Sequence, residues 1–185
     1  MNELSLLGHS FAIQDDIVSF EENKIIYNMC KELRKTLENG TPENWGTQNF
    51  STFSNYSPSK HKKFRLLFNK IEESVNYFAE RHGCKESLED VGSWVNFNKA
   101  DDYVEEHIHT NSRVSAIYYC TSPEGSAPTT FISPYKNMMP FPEEPNFVHI
   151  EPLERRLVLF RSYIPHAVGR GLNMKERITF AANYR

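Results

Sequence analysis

Tyr103-Val-Glu-Glu-His107-Ile-His109-Thr-Asn-Ser-Arg-Val114-Ser-Ala-Ile-Tyr-Tyr-Cys-Thr121 holds two short β-type runs joined by a polar turn. Thr110 to Arg113 supplies the turn residues, and the run from Val114 is rich in β-branched and aromatic side chains. Reading outward, the same pattern recurs to the C-terminus, and no helical periodicity appears after about residue 90. The expected strands are 93–98, 103–109, 114–121, 129–132, 147–150, 157–161 and 177–184, with a shorter one near 167–170. Strands this dense, without helices between them, point to an antiparallel sandwich or barrel, and about eight strands in two sheets is the jelly-roll number.

Toward the N-terminus the period changes. Ile25, Ile26, Met29, Cys30, Leu33 and Leu37 recur at helical spacing, Ser19-x-x-Glu22 resembles a capping box, and Asn39-Gly40 follows, so 19–37 reads as a helix. A second helix is expected over 59–81, with Phe64, Leu67, Phe68, Ile71, Val75 and Phe78 on one face. Between them, 41–59 carries Trp45, Phe50, Phe53 and Tyr56 among Asn, Ser and Thr, which reads as an ordered aromatic loop. The expected organisation is α+β: one domain over 1–185, with 1–89 a mainly helical support packed on one sheet of a β core formed by 90–185. A Pro-rich loop, 133–146, with Tyr135, Met138, Met139 and Phe141, is a candidate lid.

Composition narrows the function classes. The chain has 185 residues, 39% hydrophobic and 24% charged, as expected of one folded domain. Its net charge of -3 gives no electrostatic reason for a grip on nucleic acid or on an anionic membrane. Cys30, Cys84 and Cys120 show no Cys-x-x-Cys spacing and suit a reducing compartment. The N-terminus carries Glu3 where a signal peptide needs basic residues, and no run reaches the roughly 20 apolar residues of a membrane helix. A cytoplasmic protein is expected.

Chemistry concentrates in three histidines and one arginine. His107 and His109, at i and i+2 on a strand, share a face and suit one metal. His166 follows a buried apolar strand and a Pro-containing turn, a place where a third ligand belongs. Alternation in the last strand puts Arg177, Thr179, Ala181 and Asn183 on one face. A guanidinium inside a barrel must be paired, and its planar fork suits a carboxylate. His9, His61, His82 and His149 lie in loop-like or helix-edge contexts and read as surface residues.

In that order and spacing, His107-x-His109, His166 and Arg177 resemble the iron(II)- and 2-oxoglutarate-dependent oxygenases over roughly residues 90 to 185. Trp94-Val-Asn96, the His-x-His with its Ser-containing turn and Ile-Tyr-Tyr, and the closing Arg-Ile-x-x-x-x-Asn are similar to a group of small microbial and phage oxygenases, a likeness that extends to Trp45-Gly46. The resemblance implies a double-stranded β-helix, the cupin-like jelly roll. It implies Fe(II) on His107, His109 and His166, 2-oxoglutarate as cosubstrate, and O2 as oxidant. It further implies 2-oxoglutarate contacts from Arg177, Tyr119, Thr179 and Asn183. The reaction implied is hydroxylation or a related oxidation with release of succinate and CO2.

One departure bears on the chemistry. The wider family uses two histidines and a carboxylate, whereas position 109 here is His. Three neutral imidazoles leave the full charge on iron(II), which a dianionic 2-oxoglutarate would neutralise, and Glu105 or Glu106 is a candidate to orient a ligand from outside. Two other metal readings compete. A cupin-like binder of a metal or small ligand would share the His-x-His, but Thr110-Asn-Ser-Arg-Val114 lacks the usual Glu, and such a binder gives Arg177 no purpose. A zinc hydrolase with a three-histidine site would use the same imidazoles but leaves Arg177 and Tyr119 without roles. A non-enzymatic interaction module would leave all these residues idle. Substrate chemistry is open among small molecules, peptides and nucleotides, and an aromatic-rich N-terminal half is compatible with a homodimer.

Overall fold

The computed structural model describes residues 2–6, 9–135 and 146–185. Residues 136–145, which carry most of the candidate lid, lie outside the described residues. The strands are β1 Asn2–Leu6, β2 His9–Gln14, β3 Phe50–Ser51, β4 Asp90–Asn98, β5 Val104–His107 and β6 Val114–Thr121. They continue as β7 Thr129–Ile132, β8 Phe147–Ile150, β9 Leu157–Arg161, β10 His166–Val168 and β11 Arg177–Tyr184. Two helices, α1 Phe20–Thr36 and α2 Arg65–Arg81, separate the first strands from the rest. The strands pair as a larger sheet in the order β1-β2-β9-β6-β11-β4-β3 and a smaller one in the order β5-β10-β7-β8, the jelly roll expected of the sequence.

Alternation in the larger sheet sorts its two faces. Val95 and Phe97 of β4, Val114, Ala116 and Tyr118 of β6, and Ile178, Phe180 and Tyr184 of β11 join one apolar cluster with the helices. The intervening positions, including Trp94, Asn96, Ser115, Arg177 and Thr179, face a cavity bounded on its other side by residues of the smaller sheet. The middle strands are therefore buried on both faces, one apolar and one polar. Amphipathic α2 places Phe64 at its cap and Leu67, Phe68, Ile71, Val75 and Phe78 in the apolar cluster, the stripe read from the sequence. α1 opens with a full capping box, Glu22 N–H to Ser19 Oγ and Ser19 N–H to the Glu22 carboxylate. Ile25, expected in the core, is exposed instead, and Asn23 takes an inner position.

Asn23 is a polar clamp between layers. Its Oδ1 accepts from the Tyr118 hydroxyl at 2.6 Å, and its Nδ2 donates to the Cys120 carbonyl at 3.0 Å, fastening α1 to β6. The aromatic loop is held from its flanks: Asn39 Oδ1 accepts from Thr41 N–H and Ser51 N–H, and the backbone of Gln48 pairs with that of Tyr103. β1, β2 and β3 put strands in a stretch expected to be mainly helical, and β2 pairs with the distant β9. Among the described residues, no helix is long and apolar enough to cross a membrane.

Candidate functional site

β5 ends at His107 and β10 begins at His166, and these two residues are directly paired across the strands. The strand expected to continue to 109 stops there, but the His109 N–H donates to the Ser162 carbonyl at 2.9 Å, which fixes the turn beside His166. His109 thus reaches its neighbours through a tie to the β9–β10 turn rather than through the pleat of β5. Ring centroids lie 4.2 Å apart for His107 and His166, 5.0 Å for His107 and His109, and 5.1 Å for His109 and His166. One ring nitrogen from each falls within 4.8 Å of the other two, so the three could hold a metal ion.

Hydrogen bonds set two of the tautomers. His107 Nδ1 meets the Glu105 carbonyl at 2.8 Å, and His166 Nδ1 meets the Ile164 carbonyl at 3.0 Å. A carbonyl only accepts, so each Nδ1 carries the proton and each Nε2 keeps its lone pair. Burial keeps the rings neutral: it pulls His109 down to about 3, with His107 adding to the effect, and holds His107 and His166 below the ordinary imidazole value. Phe160 and Phe131 pack on His166 at 4.8 and 5.8 Å, and Trp94 lies 5.7 Å from His109. Three neutral imidazoles converging in an apolar surround fit a divalent transition ion.

Glu105 acts on this cluster through its backbone. Its carbonyl accepts from His107, while its side chain packs where Gly46 has no Cβ. Among the described residues, the cluster contains no carboxylate.

Deeper in the same cavity lies Arg177, 2% exposed. Its Nη2 donates to Thr129 Oγ1 at 3.2 Å, and its guanidinium carbon stands 5.3 Å from the centre of the Tyr119 ring. The Tyr119 hydroxyl shares Thr129 Oγ1 at 2.6 Å, and burial raises its pKa. Arg177 Nε and Nη1 are buried with no hydrogen-bond partner. Burial lowers the guanidinium pKa, yet an arginine stays charged, so two donors of a buried cation point at nothing. Nε–H points away from Nη1, so a carboxylate fits the end of the guanidinium, on Nη1 and the second proton of Nη2.

His107, His109, His166, Arg177, Thr179 and Asn183 line the cavity, whereas Tyr119, also expected as a contact, does not and meets Arg177 and Thr129 instead. Thr179 follows Arg177 on the same face, opposite Asn96. Asn183 lies six residues along β11, roughly 20 Å at strand rise, and accepts from Ser115 Oγ at 2.7 Å. It borders both this cavity and a second, wider cleft outside it. Thr129 was not expected from the sequence; the signal was the alternation of β7, which pairs with β10 and so faces Arg177 from the opposite sheet. His61 stacks on Tyr56, His82 bonds to the Phe78 carbonyl and His149 to Thr130, all apart from the cluster.

Comparison with known proteins agrees with this geometry. The family described as "Putative 2OG-Fe(II) oxygenase" matches residues 92–183, the segment from β4 to β11 that holds all three histidines and Arg177. The chain belongs to the iron(II)/2-oxoglutarate oxygenases. As an oxygenase of this family it depends on Fe(II), 2-oxoglutarate and O2. Among solved structures, the fold resembles a Pseudomonas putida prolyl-4-hydroxylase, with a TM-score of 0.72 and 15% identity over 96% of this chain and 92% of that one. It is similar to the viral collagen prolyl hydroxylase of Paramecium Bursaria Chlorella virus-1, in its 2-oxoglutarate complex, with a TM-score of 0.66 and 16% identity over 95% of both chains. The epimerase SnoN from nogalamycin biosynthesis matches with a TM-score of 0.72 and 16% identity over 95% of this oxygenase and 77% of that chain. No curated protein is significantly similar to this sequence.

Proposed function

We propose that this oxygenase inserts one oxygen atom into a C–H bond of its substrate: R–H + 2-oxoglutarate + O2 gives R–OH + succinate + CO2. The observation that carries the proposal is the pair of orphaned donors on buried Arg177, in one cavity with three converging imidazoles. His107, His109 and His166 would hold the iron, each presenting a neutral nitrogen, two of them fixed by carbonyls behind the ring. Iron(II) with 2-oxoglutarate would supply dioxygen activation there, the oxidative decarboxylation of 2-oxoglutarate giving two of the four electrons that reduce O2 and the substrate C–H bond the other two.

The protein's own residues place and shield. Arg177 would grip the far carboxylate of 2-oxoglutarate in a two-point contact, with Thr129 and Tyr119 fixing the guanidinium. Thr179 would lie along the cosubstrate, and Asn183, at the mouth, would border the substrate. Phe131, Phe160 and Trp94 exclude water from the histidines, which limits loss of oxidant to solvent. The chain would work as one unit over 1–185, a reading supported by β2 and β9 sharing a sheet. The free state of Cys30, Cys84 and Cys120 supports a cytoplasmic setting.

Iron(II)-loaded protein supplied with labelled 2-oxoglutarate and oxygen tests the reading. Succinate should form above the rate of free iron, and His166→Ala should abolish it. Equal succinate from the variant, or none from the parent, overturns the assignment.

A further inference from the structure

Outside the histidines the cavity opens into a cleft of about 1090 Å3, which shares Trp45, Thr47, Trp94, His107, His109 and Asn183 with it. The lining of this cleft has a chemical character of its own. Trp45, Phe53 and Trp94 form a train of rings, 4.5 Å and then 5.1 Å between centroids, that ends on His109 at 5.7 Å. Trp94 is buried and anchors the train, whereas Trp45 and Phe53 are 39% and 41% exposed. Large aromatic faces held open to water in a concave site next to reactive groups are the mark of a ligand surface rather than of a core.

The rest of the lining is polar and electrically balanced. Lys60 and Arg185 stand against Glu105 and Glu106. Side-chain amides and hydroxyls, among them Asn44, Asn111, Thr47 and Ser112, complete it. A polyanion would call for an excess of cations, and a cationic ligand would meet Lys60 and Arg185 at the walls. A neutral ring with an apolar face and a polar edge matches both features. Its C–H face packs on the electron-rich indole, and its hydroxyls donate and accept at once, which side-chain amides satisfy from either side.

We propose that the outer cleft binds a neutral saccharide, one ring stacked on Trp45 and Phe53 and the next presented toward His109; this rests on the oxygenase reading of the inner cavity. The volume of the cleft, at the upper end of small-molecule sites, accommodates more than one sugar ring.

Both tryptophans of the chain line this cleft and the inner cavity beside it, so with metal and 2-oxoglutarate already added a further indole emission change reports on the cleft. The probes are maltotriose, cellotriose and tri-N-acetylchitotriose, with adenosine and a proline-rich hexapeptide as the competing classes, each added to metal-loaded protein with 2-oxoglutarate and without oxygen. At least one trisaccharide should give a saturable emission change, and Phe53→Ala, which keeps both indoles, should weaken it about tenfold. Trp45→Leu, with circular dichroism unchanged, should weaken it similarly. No response to any trisaccharide up to about 10 mM, tighter binding of adenosine or the peptide, or folded variants that bind like the parent would each overturn the proposal. Calorimetric titration of 2-oxoglutarate into the unmodified metal-loaded protein separates the two readings: cosubstrate binding without saccharide binding rejects the saccharide alone, and loss of both rejects the oxygenase site.

Discussion

Arg177 is the residue on which the proposed chemistry turns. A buried cation with two donors unpaired costs stability, and a fold retains it where a guest supplies the partner. Arg177→Ala should therefore weaken 2-oxoglutarate by about two orders of magnitude, the worth of two charge-assisted hydrogen bonds at roughly 1.5 kcal/mol each. Metal affinity should hold within a fewfold, and calorimetry with each ligand in turn checks both. Arg177→Lys should recover only part of the loss, because an ammonium cannot make the planar two-point contact. This residue was legible in the sequence, since alternation alone puts Arg177, Thr179 and Asn183 on one face of β11. Thr129 was not, because its contact with Arg177 crosses from the smaller sheet to the larger one. His109 was legible as a member of the cluster, but the tie to Ser162 that brings it there was not.

At the scale of elements, the helices and the middle strands were readable from period alone. β6, β7, β8, β9 and β11 fall on the ranges expected, and the apolar stripe of α2 is buried as expected. β2 escaped because what makes it a strand is β9, more than a hundred residues away, and local alternation does not report such a partner. α1 was displaced in detail by one polar side chain: Asn23 is buried to serve Tyr118 and Cys120, and Ile25 turns outward. Asn23→Ala strands the Tyr118 hydroxyl in the interior and should cost about 2 kcal/mol, the penalty of an unpaired buried group. Urea unfolding should show a lower midpoint with an unchanged slope; an unchanged midpoint would mean that the clamp contributes nothing.

Across the whole molecule, one sheet serves two purposes, with an apolar face that builds the core and a polar face that builds the site. The apolar face carries phenols that titrate. Burial raises the pKa values of Tyr118 and Tyr184 above the ordinary value, so the folded chain keeps protons that the unfolded chain releases above a pH of about 10. Their contribution is complete below that pH and is lost as pH rises past it. The thermal midpoint should begin to fall at about pH 10, the ordinary phenol value, and go on falling above it, and Tyr184→Phe should flatten that fall. An equally steep fall in the variant would place the alkaline sensitivity elsewhere.

The joint claim of three histidines for a metal and Arg177 for a dicarboxylate is tested most directly without substrate or oxygen, by adding iron(II) and then 2-oxoglutarate to the metal-free protein and recording its visible absorption. A weak charge-transfer band of chelated 2-oxoglutarate is expected in the parent, absent in His166→Ala and requiring far more cosubstrate in Arg177→Ala. No band in the parent at saturating iron and cosubstrate, or a band of equal strength and affinity in both variants, would contradict it.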